Sequence, residues 1–216
     1  MMRKGAALGG LTAARAGKRV EEWFAWANKR LAVGARAWVR KTEPPVGGRV
    51  GRGTTWYKGG APPDFMGYLA GGRGVCFDLK TSMGPVWRWQ SRRGADPREA
   101  FRHERTRVRQ VTDIYELGQR FGVLAGVIVV LSSAGPQPAA LWVPWRKVPL
   151  LADGLAWDRE RLIEEADAAV ADWPAGGDPG WLDAALRSDA KEQIGMAATA
   201  AGAFKKAMGE DGKAEA

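Results

Sequence analysis

Pro63-Asp64-Phe65-Met66-Gly67-Tyr68-Leu69-Ala70-Gly71-Gly72-Arg73-Gly74-Val75-Cys76-Phe77-Asp78-Leu79-Lys80 is the stretch on which the reading of this chain turns. Two short apolar runs flank Gly71-Gly72-Arg73-Gly74, and that punctuation predicts a β-hairpin over 64–80. Side chains alternate along a strand, so Asp78 and Lys80 share one face while Phe77 and Leu79 take the other. A loop centred near residue 72 sets Asp64 across from Lys80, with Asp78 within one pleat. Two carboxylates and an ammonium then converge on one patch of sheet. Carboxylate oxygens suit Mg²⁺ or Mn²⁺, which takes one or two of them and leaves its other positions to water and substrate phosphate. This is the outline of a metal-dependent phosphodiesterase site. On the motif alone, a solvated hairpin face carrying an ion pair is the simpler reading, and the surrounding composition shifts the balance.

The charge is sorted by position. Residues 1–122 hold 24 Lys and Arg against 10 Asp and Glu, net +14, whereas residues 123–216 hold 9 against 14, net −5. A basic half of that size is the footprint of a polyanionic partner, and counterion release makes such binding steeply salt-dependent. The single cysteine, Cys76, excludes a disulfide framework and a cysteine zinc cage, and its place in the hairpin points to packing. One histidine, His103, excludes His-pair metal motifs. No run of apolar residues is long enough to span a bilayer and no signal peptide is evident, so a soluble, cytoplasmic protein without small-molecule cofactor or membrane partner is expected.

Along the chain, residues 1–11 read as a disordered basic N terminus. Val20, Phe24, Ala27 and Leu31 recur at helical spacing and predict a helix over 12–33, with Glu21 at the edge of its buried stripe. Residues 35–39 read as a strand. Residues 46–63 are Gly-rich and basic, with Arg49, Arg52 and Lys58 around Trp56, and form either a disordered loop or an element projecting toward a ligand. Within 84–97, Trp87, Arg88, Trp89, Arg92 and Arg93 suit nucleic-acid contact, since indoles stack on bases and guanidinium pairs with phosphate; Trp87 and Trp89 serve equally as core cover. A helix is expected over 97–121, a strand buried on both faces over 123–131, another strand over 139–145, and helices over 157–172 and 180–187. The natural packing of this order is α/β, a central mixed β-sheet flanked by helices, with the acids on its central hairpin. One domain over 12–187 with a tail over 188–216 follows.

These residues resemble a known family, the RecU-type Holliday junction resolvases of the PD-(D/E)XK nuclease superfamily, in patches from Gly17 to Leu186. Gly17-x-x-x-Glu21 with Asn28 resembles the opening helix, and Lys41-Thr42-Glu43-Pro44-Pro45-Val46 the Lys-Pro-x-Pro segment. Asp64-Phe65-Met66-Gly67 resembles Asp-Tyr-x-Gly, and Phe77-Asp78-Leu79-Lys80-Thr81 resembles Phe-Glu-Ala-Lys-x. Gln110 falls in the helix where the family has Gln, and Ala125-Gly126-Val127-Ile128 stands for its Gly-Ile/Val-x-Phe strand. Asp172-Trp173-Pro174 and Trp181–Leu186 are similar to its closing segment. Asp78 replaces the commoner Glu, Pro62-Pro63 stands where the family has a hydroxyl residue, and about a dozen extra residues precede Gln110.

The resemblance implies a restriction-endonuclease-like core with 46–63 as a stalk. It implies a metal held by Asp64, Asp78, Glu21 and the Leu79 carbonyl, with Lys80, Gln110 and Glu21 in catalysis. Glu22 competes for the Glu21 role. Arg49, Arg52, Trp56, Lys58, Arg88, Arg92 and Arg93 are the expected DNA contacts. The implied function is a homodimeric, Mg²⁺-dependent endodeoxyribonuclease that resolves four-way or branched DNA by paired nicks. A restriction- or repair-type nuclease on the same core and a non-catalytic DNA-binding protein are the alternatives.

Overall fold

A computed structural model describes residues 4–42, 49–50, 54–55, 62–89, 97–131, 139–152, 155–171 and 180–211, some of them in backbone only. In chain order the elements are α1 (Lys4–Val33), β1 (Ala37–Lys41), β2 (Arg49–Val50), β3 (Thr54–Thr55), β4 (Phe65–Leu69), β5 (Gly74–Ser82) and α2 (Pro97–Phe121). There follow β6 (Leu124–Leu131), β7 (Ala139–Pro144), a 3-10 turn (Trp145–Lys147), α3 (Val148–Leu151), α4 (Arg159–Glu164), β8 (Ala169–Ala171) and α5 (Trp181–Asp211). Six strands form one mixed sheet in the order β1-β4-β5-β6-β7-β8, flanked by helices, the α/β class expected. Of its pairings only β5 with β6 is parallel, which the α2 crossover permits; β2 and β3 pair separately.

The parallel pair lies at the centre, and β6 is buried along its whole length. That is why 123–131 reads as a continuous apolar run: helices cover both faces of a strand in this position. On one face, Phe24 of α1 and Trp181 of α5 meet Phe65, Phe77 and Trp142 of the sheet; Phe65 stacks on Phe77 with centroids 4.9 Å apart and Trp181 lies 4.7 Å from Phe77. The Trp181 indole N–H donates to buried Asn28 Oδ1 at 3.1 Å, which ties the two helices together under the sheet. On the other face, Ile114 of α2, Val148, Leu151 and Leu162 pack with Cys76, Val127 and Val129. Phe77 and Leu79 therefore face α1 and α5, and Asp78 lies on the α2 side with Cys76.

Several boundaries depart from expectation. Helix α1 begins at Lys4, so residues 4–11, expected to be disordered, are helical. Residues 169–171 form β8 rather than helix, because pairing with β7 supplies a ladder that a short Ala-Val-Ala run could not reveal alone. The segment 188–193, assigned to a tail, belongs to the body. Ser188 is buried, and the Asp189 carboxylate receives both Arg73 amino groups at 2.6 and 2.8 Å, while Arg146 pairs with Glu192. Arg73 also donates through Nε to the Gly122 carbonyl at 2.8 Å, so one guanidinium joins the hairpin turn, the end of α2 and α5. Replacing Asp189 with Ala is expected to lower the unfolding free energy by about 1–2 kcal/mol in urea titration, since a two-pronged, half-buried ion pair is lost. An unchanged midpoint would return this part of α5 to the tail. Among the described residues no helix is long and apolar enough to cross a membrane. Of the expected stalk, the two-residue strands β2 and β3 and the closing Pro62-Pro63 fall within the described residues.

Candidate active site

The hairpin turn sets the register of the acids. Leu69 N–H donates to the Arg73 carbonyl at 2.8 Å and Gly72 N–H to the Leu69 carbonyl at 3.0 Å, closing a tight turn. Gly71 and Gly72 adopt φ of 91° and 87°, a region that costs a side chain dearly and glycine little. The turn centres on residue 71, not 72, and pairs Phe65 with Phe77. Continued by one residue, this register puts Asp64 opposite Asp78. Asp64 does not face Lys80 as expected, because a shift of one in the turn moves every partner by two.

The two aspartates hold each other through the backbone. Asp64 N–H donates to Asp78 Oδ1 at 3.0 Å, and Leu79 N–H donates to Asp64 Oδ2 at 2.9 Å. Each carboxylate thus has one oxygen fixed and one left over. Asp78 Oδ2 is buried without a hydrogen-bond partner among the described residues; Lys80 Nζ approaches it at 3.2 Å as an ion pair, outside hydrogen-bond alignment. Strand β1 steadies the start of β4: Thr42 N–H donates to the Asp64 carbonyl at 2.9 Å and Thr42 Oγ1 to the Pro63 carbonyl.

Asp78 is fully buried, a costly place for a carboxylate unless it is paired and hydrogen-bonded. Burial raises the proton affinity of Asp64 above the usual aspartate range; the Asp78 charge raises it further, while Lys80 and the Leu79 N–H oppose the rise. Burial and the Asp78 charge also push the Cys76 thiol up to about 12, so Cys76 is an inert core group, as its position in the hairpin implied.

Lys80 is gripped on three sides. Besides Asp78, its ammonium donates to Gln110 Oε1 at 3.4 Å and sits 5.2 Å from the Trp89 ring centroid. Gln110 reaches it from α2, despite the long insertion before that helix. Trp89 is buried against Trp87, with centroids 5.6 Å apart, so both indoles serve the core. Trp89 does so while facing Lys80, a double role that composition alone does not signal.

Glu21 is placed differently. It pairs with Lys41 at the rim of the opposite face, and Glu22 pairs with Lys18 at 3.8 Å. Contact with Glu21 is the first cause of a raised Lys41 proton affinity, to which Asp64 also contributes. Lys41 therefore belongs to the same electrostatic neighbourhood, as does Asp113 on α2, whose proton affinity is raised by burial and in lesser part by Asp78. The sequence reading did not single out either residue for the site. The pairing that reveals Lys41 spans 20 residues and two elements. Arg88 is exposed. Arg52, Trp56, Lys58, Arg92 and Arg93 lie outside the described residues, and Arg49 is described only by its backbone in β2.

Among the described residues no group of three or more His, Cys, Asp or Glu side chains gathers around a common point. The donor set is two aspartate oxygens with no hydrogen-bond partner among those residues. It fits Mg²⁺, which needs few protein ligands, and not an all-protein cage of the calcium or zinc kind.

No family profile and no curated protein matches the chain. Among solved structures, Hjc, a Holliday junction resolvase from the archaeal hyperthermophile Archaeoglobus fulgidus, is similar at 14% identity and a TM-score of 0.34, over 62% of this chain and 85% of that one. At that score the α/β assignment rests on the sheet itself.

Proposed function

We propose that this chain is a metal-dependent, structure-selective endodeoxyribonuclease with a PD-(D/E)XK-type core, resolving four-way or branched DNA by paired phosphodiester nicks. The observation that carries the reading is the reciprocal clasp of Asp64 and Asp78, which leaves one oxygen of each without a hydrogen bond, that of Asp78 3.2 Å from the Lys80 ammonium. Asp64 and Asp78, with the Leu79 carbonyl, are the residues that would hold Mg²⁺ or Mn²⁺; Glu21, engaged by Lys41, would join them only on leaving that pair. Such an ion supplies a water of lowered pKa and neutralises charge developing on the phosphate.

Lys80 offers a fixed positive charge to the same phosphate, and Gln110 and Trp89 restrict where that charge can move. Lys41 holds Glu21 off the α2 side, so its part in the site is through charge at a distance. Arg88, with Arg49, Arg52, Trp56, Lys58, Arg92 and Arg93, would engage the DNA backbone and its bases. A four-way junction has two-fold symmetry and needs two nicks, a demand that a homodimer meets. A cytoplasmic location belongs to the same reading.

The test is nicking of a four-way junction against a duplex of the same sequence, with and without Mg²⁺. Preferential, Mg²⁺-dependent nicking of the junction is expected. Equal cutting of both would make it a restriction- or repair-type enzyme, and no cutting a DNA-binding protein. Charge reversal of Arg49 and Arg52 together is expected to reduce the slope of log affinity against log salt by about 2. A slope that does not change would remove the 46–63 segment from the interface.

A further inference from the structure

We propose that the hollow running from Lys80 along the 82–89 segment is a subsite for one unpaired nucleotide beside the scissile phosphate; this rests on the nuclease reading above. The hollow measures about 760 Å³ and is bounded by Lys80, Ser82, Met83, Val86, Arg88 and Trp89 among others. Sites of roughly 300–1,000 Å³ take ligands of nucleoside size. A paired, stacked base in continuous duplex cannot enter one.

Its chemistry is that of a nucleotide site. Met83 and Val86 are 46% and 39% exposed, apolar surfaces on which the flat face of a base can lie. Arg88 and Lys80 offer cations to the phosphates on either side, and no acidic residue is among the described residues of the lining. Trp89 forms a wall, held on Lys80.

The hollow is built before any ligand arrives. Ser82 Oγ donates to the Val86 carbonyl at 2.6 Å and accepts from Gly84 N–H at 3.1 Å, which folds the 82–86 turn on itself. Trp87 and Trp157 exchange two backbone hydrogen bonds, each 2.8 Å, which pin the far end. A base at the branch point can lack a stacking neighbour on one side and then leaves its pair at less cost than one inside continuous duplex, which must first be unstacked on both sides. Selection for branched DNA then arises at this hollow, and the site at Asp64 and Asp78 would direct hydrolysis of whatever strand it presents.

The test uses the full chain and a four-way junction carrying 2-aminopurine in turn at each position within a few nucleotides of the crossover, bound without divalent cation. Fluorescence at one position is expected to rise at least fivefold on binding. Met83→Trp and Val86→Trp, each filling the hollow from an exposed site, are expected to cut that rise to under a third. Two variants are used so that misfolding of one does not decide the result. No rise at any position, or a rise that both variants leave intact, overturns the subsite. Nicking of the same junction in Mg²⁺ separates the two claims. Nicking without a rise overturns the subsite alone, whereas a Met83-dependent rise without nicking keeps the subsite and overturns the nuclease reading.

Discussion

Asp64→Asn slows Mg²⁺-dependent nicking of a four-way junction by about a thousandfold, with junction affinity kept within about threefold; this is the largest expected effect on activity. The amide retains an oxygen for the Leu79 N–H, so the hairpin stays closed. It lacks the anionic oxygen that would hold the cation. Asp78→Asn carries the same expectation for activity, and there the Lys80 ammonium also loses its charged partner at 3.2 Å. A rate within tenfold of wild type for Asp64→Asn would remove this residue from the chemistry.

The same substitution has an opposite effect on folding. Burial, and then the Asp78 charge, raise the Asp64 pKa in the folded chain above its unfolded value. The stability that belongs to its neutral form is full below the unfolded pKa and is lost as pH rises through the folded one. At pH 7 the carboxylate therefore destabilises the fold. In chelator, Asp64→Asn is expected to raise the urea midpoint at pH 7, and the gain is expected to shrink as pH falls into the acid range. A site kept at the expense of stability behaves this way; a passive surface aspartate would show neither change.

Gly126→Ala is expected to lower the unfolding free energy by about 3 kcal/mol, or roughly 6–12 °C in melting temperature for a domain of this size. A Cβ at Gly126 would lie 2.5 Å from the Val143 carbonyl oxygen and 2.7 Å from the Trp142 indole. Neither neighbour can yield cheaply. Val143 is in β7, fully buried and paired to β6, and the Trp142 ring stands 6.1 Å from both Phe77 and Trp181 in the aromatic cluster. One methyl group at the centre of the sheet thus strains the packing that carries α5. A melting temperature unchanged within 2 °C would show that β7 gives way freely. Gly67 is constrained in the same manner, its missing Cβ filled by the Trp38 carbonyl of β1. Close backbone approach is sufficient reason for each glycine.

How far the site was legible depended on the range of the interaction. Alternation along 75–80 put Asp78 and Lys80 on one face because the pleat is a local property of the strand. The apolar run 123–131 announced a strand covered on both sides for the same reason. The opposition of Asp64 to Asp78 was missed by one position of the turn, since a four-residue loop rich in glycine closes in more than one way. Lys41 and Asp113 were out of reach, because each meets the site from a different element; Trp89 was read as core cover or a nucleic-acid contact, and its hold on Lys80 was not. Strand β8 escaped as well: three residues carry no periodicity of their own, and their strand character comes from the β7 ladder.

Composition and local pattern were enough, by themselves, to determine a basic first half, an α/β chain and a hairpin bearing two aspartates and a lysine. Those properties follow from neighbours within a few residues, where side-chain alternation and turn chemistry act. Only the tertiary structure decided that each aspartate would clasp the backbone beside the other, that Gln110 and Trp89 would hold Lys80, and that Glu21 would be drawn away by Lys41. These arrangements join residues 9 to 30 positions apart. They exist because burial of both faces of the central strands brings α1, α2 and the 82–89 segment against the sheet.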